Sequence, residues 1–191
     1  MKKNAIGLIE LTSIASGFEV TDAMLKAANV ELLVARTVCP GKYLVIIGGD
    51  VADVATSVRS GAQVGQAFVV NECVIPNIHE EVFPALSGNV TAPEELDALG
   101  VLESFSIATL IEAADITVKT AEVHLLQIGL GMAIAGKAYL TLTGDVSSVQ
   151  AAIDAGAAII AEQGMLVYKA VIPAPLWTCY LETEGMDNIR W

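Results

Sequence analysis

The sequence contains one module of about ninety residues, written twice. Residues 5–10 (AIGLIE) return 93 positions later as residues 98–103 (ALGVLE). The tripeptide GDV occurs at 49–51 and again 95 positions later, and VIP occurs at 74–76 and again 97 positions later. The offset thus grows twice by two, which indicates two insertions of two residues each in the second copy. Solenoid repeats are much shorter than this module and cannot fold singly. The duplication therefore predicts two complete domains and a function that uses internal pseudo-symmetry.

Both copies predict the same order of secondary structure, β-α-β-β-α-β. In the first copy, apolar runs without helical period predict strands at 6–11, 31–38, 43–47 and 68–75. We expect Thr21 and Asp22 to start the first helix, and Asp50 and its counterpart Asp145 to cap the second helix of each copy. The equivalent segments of the second copy are strands at 99–103 and 165–172, a strand pair within 123–142, and helices near 115–121 and 146–163. Gly61 and Gly156 occupy equivalent places in the second helices, which favours close helix packing there.

This order predicts an α+β fold made of two tandem split βαβ (ferredoxin-like) modules, each an antiparallel sheet with its helices on one face. Residues 87–95 are polar and contain Pro and Gly, which is typical of a linker. We therefore place the first domain with its linker at residues 1–92 and the second domain with a C-terminal tail at residues 93–191.

Composition restricts the class of partner. With 54% hydrophobic residues and a mean hydropathy of +0.60, the chain has more apolar side chain than two small cores can bury, which predicts extensive subunit contact. The most apolar stretch, 123–142, is interrupted by polar residues and glycines and does not predict a membrane span. A net charge of −12 argues against nucleic acid as a partner. The start of the chain has no secretory signal pattern, so we expect a cytoplasmic protein.

The sequence gives little support to catalysis, and we expect no enzyme. His79 and His124 have no nucleophilic partner placed by a recognised motif. Gly129 and Gly131 suggest a dinucleotide loop, but the strand-to-helix context that such a loop requires is missing.

Several motifs occur in the same order in both copies, and together they resemble the bacterial microcompartment shell proteins with tandem BMC domains. They are AIGLIE at 5–10, DAMLKAANV at 22–30, GDV at 49–51 and VIP at 74–76. The unpermuted tandem order resembles in particular the trimeric T-type shell proteins of propanediol-utilisation compartments. This resemblance implies a homotrimer that imitates a hexagonal tile, with six modules around a central pore. It also implies a place in the compartment shell, with other shell proteins as partners.

The resemblance also implies which residues lie at the tile edge. Lys26 and its counterpart Lys119 match the family's edge lysine, and Asn29 and His79 match further edge positions. The second copy has Glu122 and Leu176 in place of the latter two, so the two kinds of edge differ chemically. Glu10 and Glu103 are expected to be structural, accepting backbone or inter-module hydrogen bonds.

The first hairpin turn contains the cysteine of greatest interest, Cys39. By the resemblance this turn points at the threefold axis, where three thiols converge on a 4Fe-4S cluster, one per trimer, with one iron left for another ligand. Lys42 is expected to offset the cluster's charge. The predicted pore residues are Cys39, Pro40 and Gly41 of the first loop and Met132, Ala133, Ile134, Ala135 and Gly136 of the second. The second loop has no cysteine; it either narrows the opening or packs beneath the first loop.

Three functions follow from these observations. In the first, the tile's cluster passes electrons, or iron or a cluster, across the shell, with lumenal or cytosolic redox enzymes as further partners. In the second, the tile has an open pore that conducts a small polar metabolite. In the third, the chain is a free-standing tandem ferredoxin-like ligand sensor. Cys73 is expected to serve packing, and no role is assigned to Cys179.

Overall fold

Two copies of one βαββαβ unit follow each other along the chain, as the repeat predicts. The structure is a computed structural model, and it describes residues 3–90, 96–131 and 134–176. The first module comprises β1 (Ala5–Leu11), α1 (Ile14–Ala27), β2 (Glu31–Val38), β3 (Lys42–Gly49), α2 (Val51–Gly65), a short 3-10 turn (Gln66–Phe68), β4 (Val69–Pro76) and α3 (Val82–Ser87). The second comprises β5 (Ala98–Ser104), α4 (Ile107–Thr120), β6 (His124–Leu130), β7 (Ala138–Gly144), α5 (Val146–Glu162) and β8 (Leu166–Pro173).

Each module has a four-stranded antiparallel sheet, which confirms the predicted α+β class. The strand order is β2-β3-β1-β4 in the first module and β6-β7-β5-β8 in the second. The register is the same in both copies: Leu8 of β1 lies opposite Ile46 of β3, and its counterpart Val101 of β5 lies opposite Thr141 of β7. The duplication therefore preserves strand pairing as well as element order.

The first sheet is covered on both faces, and for this reason every residue of β1 is buried. One face packs on α1 and α2 through Ile9 and Leu11, which lie with Val20 and Met24 in one apolar cluster. The other face belongs to a larger cluster that includes residues of α3 and of the second module. The two modules therefore share a continuous apolar core across their boundary.

The predicted start of the first helix was wrong. Helix α1 begins at Ile14, where the hydroxyl of Ser13 accepts a hydrogen bond from the Ser16 N–H at 3.2 Å. Ser106 caps α4 in the same way, so Thr21 and Asp22 lie in the middle of the helix. A serine hydroxyl accepting from the first turn is sufficient to start a helix, even when the first turns are poor in strong helix formers. Asp50 and Asp145 cap α2 and α5 as predicted.

Helix α3 was not predicted. It occupies Val82–Ser87, just before and overlapping the segment we assigned to the linker, and ends at Gly88 in the left-handed conformation with φ of 68°. Val82, Ala85 and Leu86 are buried. Their spacing follows one helical face, and this is the signal that could have identified the helix. None of the helices in the described ranges has the length and hydropathy needed to cross a membrane.

The helix pairs pack closely at the two repeated glycines, as predicted. A Cβ atom added at Gly61 of α2 would lie 2.6 Å from Met24 Cγ and 2.7 Å from Ile9 Cδ1. At Gly156 of α5 it would lie 2.8 Å from Leu102 Cδ1 and 2.9 Å from Thr117 Cγ2. These positions accept no side chain without displacing a buried neighbour.

We predict that Gly61→Ala lowers the free energy of unfolding by up to about 2 kcal/mol. Alanine gains about 1 kcal/mol in helix propensity, but overpacking a core costs about 1–3 kcal/mol. The measurement is the denaturant midpoint at fixed protein concentration. Gln63→Ala, on an exposed position of the same helix, is the matched control and should change stability by less than about 0.5 kcal/mol. A stabilised Gly61→Ala variant would show that the packing is looser than described.

Candidate functional site

The tips of the two β-hairpins lie against each other. The N–H of Cys39, at the β2–β3 turn, donates to the Gly131 carbonyl at 2.9 Å. The Arg36 guanidinium donates to the Leu130 carbonyl at 3.0 Å. A Cβ atom at Gly136 would lie 2.5 Å from the Cys39 carbonyl oxygen, so the second loop approaches the first backbone to backbone. The described residues of the second loop, Gly131 and Gly136, thus favour the alternative in which this loop packs on the first. Met132 and Ala133 lie outside the described residues.

Cys39 is a free, half-buried thiol between buried Val38 and exposed Pro40. The next residue, Gly41, has φ of +74°, and a Cβ atom there would meet nothing within 4 Å. The turn therefore faces open space on this side. Within the described parts of the chain, no three His, Cys, Asp or Glu side chains come together as a possible metal site. A metal centre at Cys39 would thus need ligands beyond the described residues of one chain.

Each hairpin is anchored beside its turn by an ion pair. Lys42 Nζ lies 2.9 Å from Glu10 Oε1, and Lys137 pairs with Glu103 in the same way in the second module. This corrects the expectation that the two glutamates accept backbone or inter-module hydrogen bonds, because their observed donors are lysines of the same module. It also changes the role expected of Lys42, since Glu10 already neutralises its ammonium group.

Cys73 is a packing residue in the structure, as expected. Burial, and secondarily the negative charge of Glu112, raise the pKa of its thiol to about 12. A thiol with this pKa is almost entirely protonated at neutral pH and neither binds metal nor reacts readily. Of the two described cysteines, Cys39 is therefore the candidate ligand; Cys179 lies outside the described residues.

The second prominent site is the contact between the two modules, which we call the junction. It joins β4, α3 and the connecting residues 77–81 of the first module to α4 and β6 of the second. Its apolar part consists of Ile75, Ile78, Val82 and Leu86 on one side and Ile107, Ile111 and Leu125 on the other, all in one buried cluster.

A polar cluster lies on α4 within the junction. The buried carboxylate of Asp115 accepts a hydrogen bond from the His79 backbone N–H at 2.7 Å. It also accepts one from Lys119 Nζ at 2.5 Å, and the same ammonium group donates to the Asn77 carbonyl at 2.7 Å. Two charged side chains of the second module thus bind backbone groups of the first, which fixes the position of residues 77–79.

The structure separates the four residues assigned to the tile edge. Lys119 and the His79 backbone lie in the junction, while Lys26 and Asn29 are exposed on the first module. Lys26 Nζ lies 2.6 Å from Asp22 Oδ2, within its own helix. The tile-edge role of these residues stays a prediction.

Sequence reasoning missed Glu81. Its carboxylate accepts a hydrogen bond from the Leu125 N–H and lies 3.2 Å from His124 Nδ1, so it joins the connecting segment to β6. No motif marks this residue, because its partners lie more than forty positions away in the sequence.

Comparison with known proteins gives consistent matches to one family. The BMC domain family matches residues 5–78 and 98–175. The chain is 45% identical over 171 residues to the bacterial microcompartment shell protein PduT of Citrobacter freundii, covering 90% of this chain and 92% of that protein. The shell protein EutM of Salmonella typhimurium is 43% identical over 83 residues, covering 42% of this chain and 81% of that protein. A crystal structure of a microcompartment protein from Desulfitobacterium hafniense superposes with a TM-score of 0.89 at 48% identity, covering 95% and 99% of the two chains.

We predict that iodoacetamide modifies Cys39 well before Cys73 in folded, iron-free protein at pH 8. With a pKa of about 12, only about one Cys73 thiol in 10⁴ is ionised at that pH. Peptide mass spectrometry measures the modification of each cysteine. Labelling in guanidinium chloride is the control and should remove the difference. Equal rates in the folded protein would contradict the described burial of Cys73.

Proposed function

The chain belongs to the BMC domain family of bacterial microcompartment shell proteins, and from that membership we propose that it forms a homotrimeric, pseudohexameric tile whose hairpins hold a 4Fe-4S cluster. The tile lies in the shell of a compartment in the cytoplasm, beside other shell proteins. Its role is structural and electron-conducting, and the chain itself catalyses no reaction.

The observation that carries the trimer is an unequal burial of equivalent residues. Phe18 on α1 is 64% exposed, while its counterpart Ile111 on α4 is 0% exposed because the junction covers it. Ile14 is exposed and its counterpart Ile107 is buried. Helix α1 of the first module therefore has the same apolar face as helix α4 of the second. On α4 this face is buried in the junction, and on α1 it is exposed.

The surface that the first module contributes to the junction also recurs in the second module, where it is exposed. Ile75 at the end of β4 is 6% exposed in the junction, while its counterpart Ile172 at the end of β8 is 44% exposed. Each chain thus has one complete junction and the two complementary halves of another. Packing the β8 end of one chain on α1 of the next is a heterologous contact, and such contacts generate a closed ring when the rotation closes. Three chains supply the six modules that the resemblance implies.

The cluster proposal is supported by the chemistry of Cys39. Its thiol is free and half-buried, it lies at a turn that faces open space, and the described second loop provides no competing acidic or thiol ligand. Thiolate is the usual ligand of iron–sulfur clusters, and three chains would supply three such ligands. When bound, the cluster would relay single electrons between lumenal and cytosolic redox partners. The Lys42–Glu10 pair anchors the turn that carries the thiol.

We predict that Phe18→Asp dissociates the trimer. In the variant, the interface between chains would contain a buried aspartate charge in place of a phenyl ring. We expect at least a tenfold rise in the chain concentration at which half of the trimer is dissociated. Native mass spectrometry should give three times the 19.9 kDa chain mass for the wild type and mostly monomer for the variant.

Phe105→Asp is the matched control for this experiment. Phe105 is as exposed as Phe18, but its counterpart Thr12 is exposed too, so this position lies outside the junction in both copies. The Phe105→Asp protein should remain a trimer, and circular dichroism should match the wild type for both variants. A wild-type monomer that does not copurify with shell proteins would overturn the tile and support the ligand sensor.

We predict that anaerobically purified protein shows thiolate-to-iron charge-transfer absorbance and contains about four irons per trimer. Cys39→Ser should lose both the colour and the iron and remain trimeric. Cys73→Ser, which removes the other described thiol, should retain both. A trimeric wild type that is colourless and iron-free after anaerobic purification and cluster reconstitution would refute the cluster and leave the open-pore tile.

A further inference from the structure

We infer that Asp22 and Lys26 form an interchain latch that binds the backbone of residues 174–176 of the next protomer. The inference rests on the proposed trimer and assigns the polar contacts of its interface. Its basis is the cluster at the junction, where Asp115 and Lys119 bind the backbone of residues 77–79.

The side-chain half of the latch is repeated on α1. Asp22 and Lys26 lie 93 positions before Asp115 and Lys119, four residues apart on a helix of the same length. The ion pair between them is also the same, with Lys26 Nζ at 2.6 Å from Asp22. Only the cover differs: the Asp22 side chain is 62% exposed and that of Asp115 is 8% exposed. Asp22 therefore presents the same acceptor without the backbone donor that Asp115 has.

The backbone half of the latch is repeated after β8. Asn77 follows the last proline of β4 with φ of 54°, and Ala174 follows the last proline of β8 with φ of 44°. Left-handed backbone is uncommon for residues other than glycine, so its recurrence shows that the same position reverses the chain after both strands. The hydrogen bond that follows differs by one position. In the first module the Ile78 N–H donates to the Asn4 carbonyl, whereas the counterpart of Ile78 is Pro175, which has no N–H. The Ala174 N–H donates to the Asp97 carbonyl at 2.8 Å, which holds this turn against the second module. By the repeat, the Ala174 carbonyl corresponds to that of Asn77 and the Leu176 N–H to that of His79.

Backbone recognition explains how this contact persists although the residues it binds have diverged. Ala174 replaces Asn77 and Leu176 replaces His79, so the side chains at these two positions are chemically different in the two copies. The backbone groups that the latch uses, a carbonyl at the first position and an N–H at the second, are present in both copies. Burying Asp22 in the interface requires a counter-charge and hydrogen-bond donors. Lys26 supplies the first, and the Leu176 N–H of the next protomer completes the second. Lys26 thus stabilises the contact between modules of neighbouring chains in the tile, as Lys119 stabilises the contact between the two modules of one chain.

The test is disulfide cross-linking in a background with Cys39, Cys73 and Cys179 replaced by serine. Asp22→Cys combined with Leu176→Cys should give covalent dimers and trimers on a non-reducing gel, with nothing larger than trimer. His79→Cys combined with Asp115→Cys is the matched control, because the same pair of positions lies within one chain at the junction. It should form its disulfide within the monomer band. Each single-cysteine variant should give no ladder.

A second measurement tests the energetic role. Asp22→Asn should raise the chain concentration at half-dissociation of the trimer at least tenfold, because a charge-assisted hydrogen bond and an ion pair are lost from each interface. Glu162→Gln removes the same charge from an exposed helix position and should leave it unchanged. A trimer by native mass spectrometry that neither cross-links nor responds to Asp22→Asn would overturn the latch and leave the trimer intact. A wild-type monomer would overturn both.

Discussion

Burial of apolar surface at the junction between the modules is the interaction on which the rest of the molecule depends. Ile107 and Ile111 of the second module are buried in an apolar cluster that includes residues of β4 and α3 of the first module. The same surfaces recur on the outer sides of the chain, where Phe18 and Ile172 remain exposed. In the proposed trimer, the high apolar content of the sequence would be explained by one interface that is used once within the chain and again between chains.

The two copies are equivalent as scaffolds and different at their tips. Each retains the lysine–glutamate pair that anchors the hairpin, Lys42 with Glu10 and Lys137 with Glu103. The first hairpin contributes Arg36 to the contact between loops, and the counterpart of Arg36 is Gly129, which lies beneath the Tyr139 ring. Duplication therefore allows one loop to carry a free thiol while the other loop packs against it.

Sequence reasoning identified what depends on local pattern and missed what depends on distant partners. The strands, the helix caps at Asp50 and Asp145 and the close-packed glycine Gly61 follow from periodicity and local chemistry, and the structure contains them. Helix α3 was missed because six residues give a weak helical signal. The lysine partner of Glu10 and the inter-module role of Glu81 were missed because strand pairing and module packing, not sequence spacing, bring their partners near.

Helix α3 fixes the end of the first module against the second module. Because this helix is buried in the junction, the described residues that lead into the connection between the modules are part of the core. In a ring of three chains, half of the module contacts would then form at the very high effective concentration of a single polypeptide. Only the other half would cost translational and rotational freedom on assembly. In such a ring, joining two modules in one chain would convert a six-body association into a three-body one, which would favour complete rings at low protein concentration.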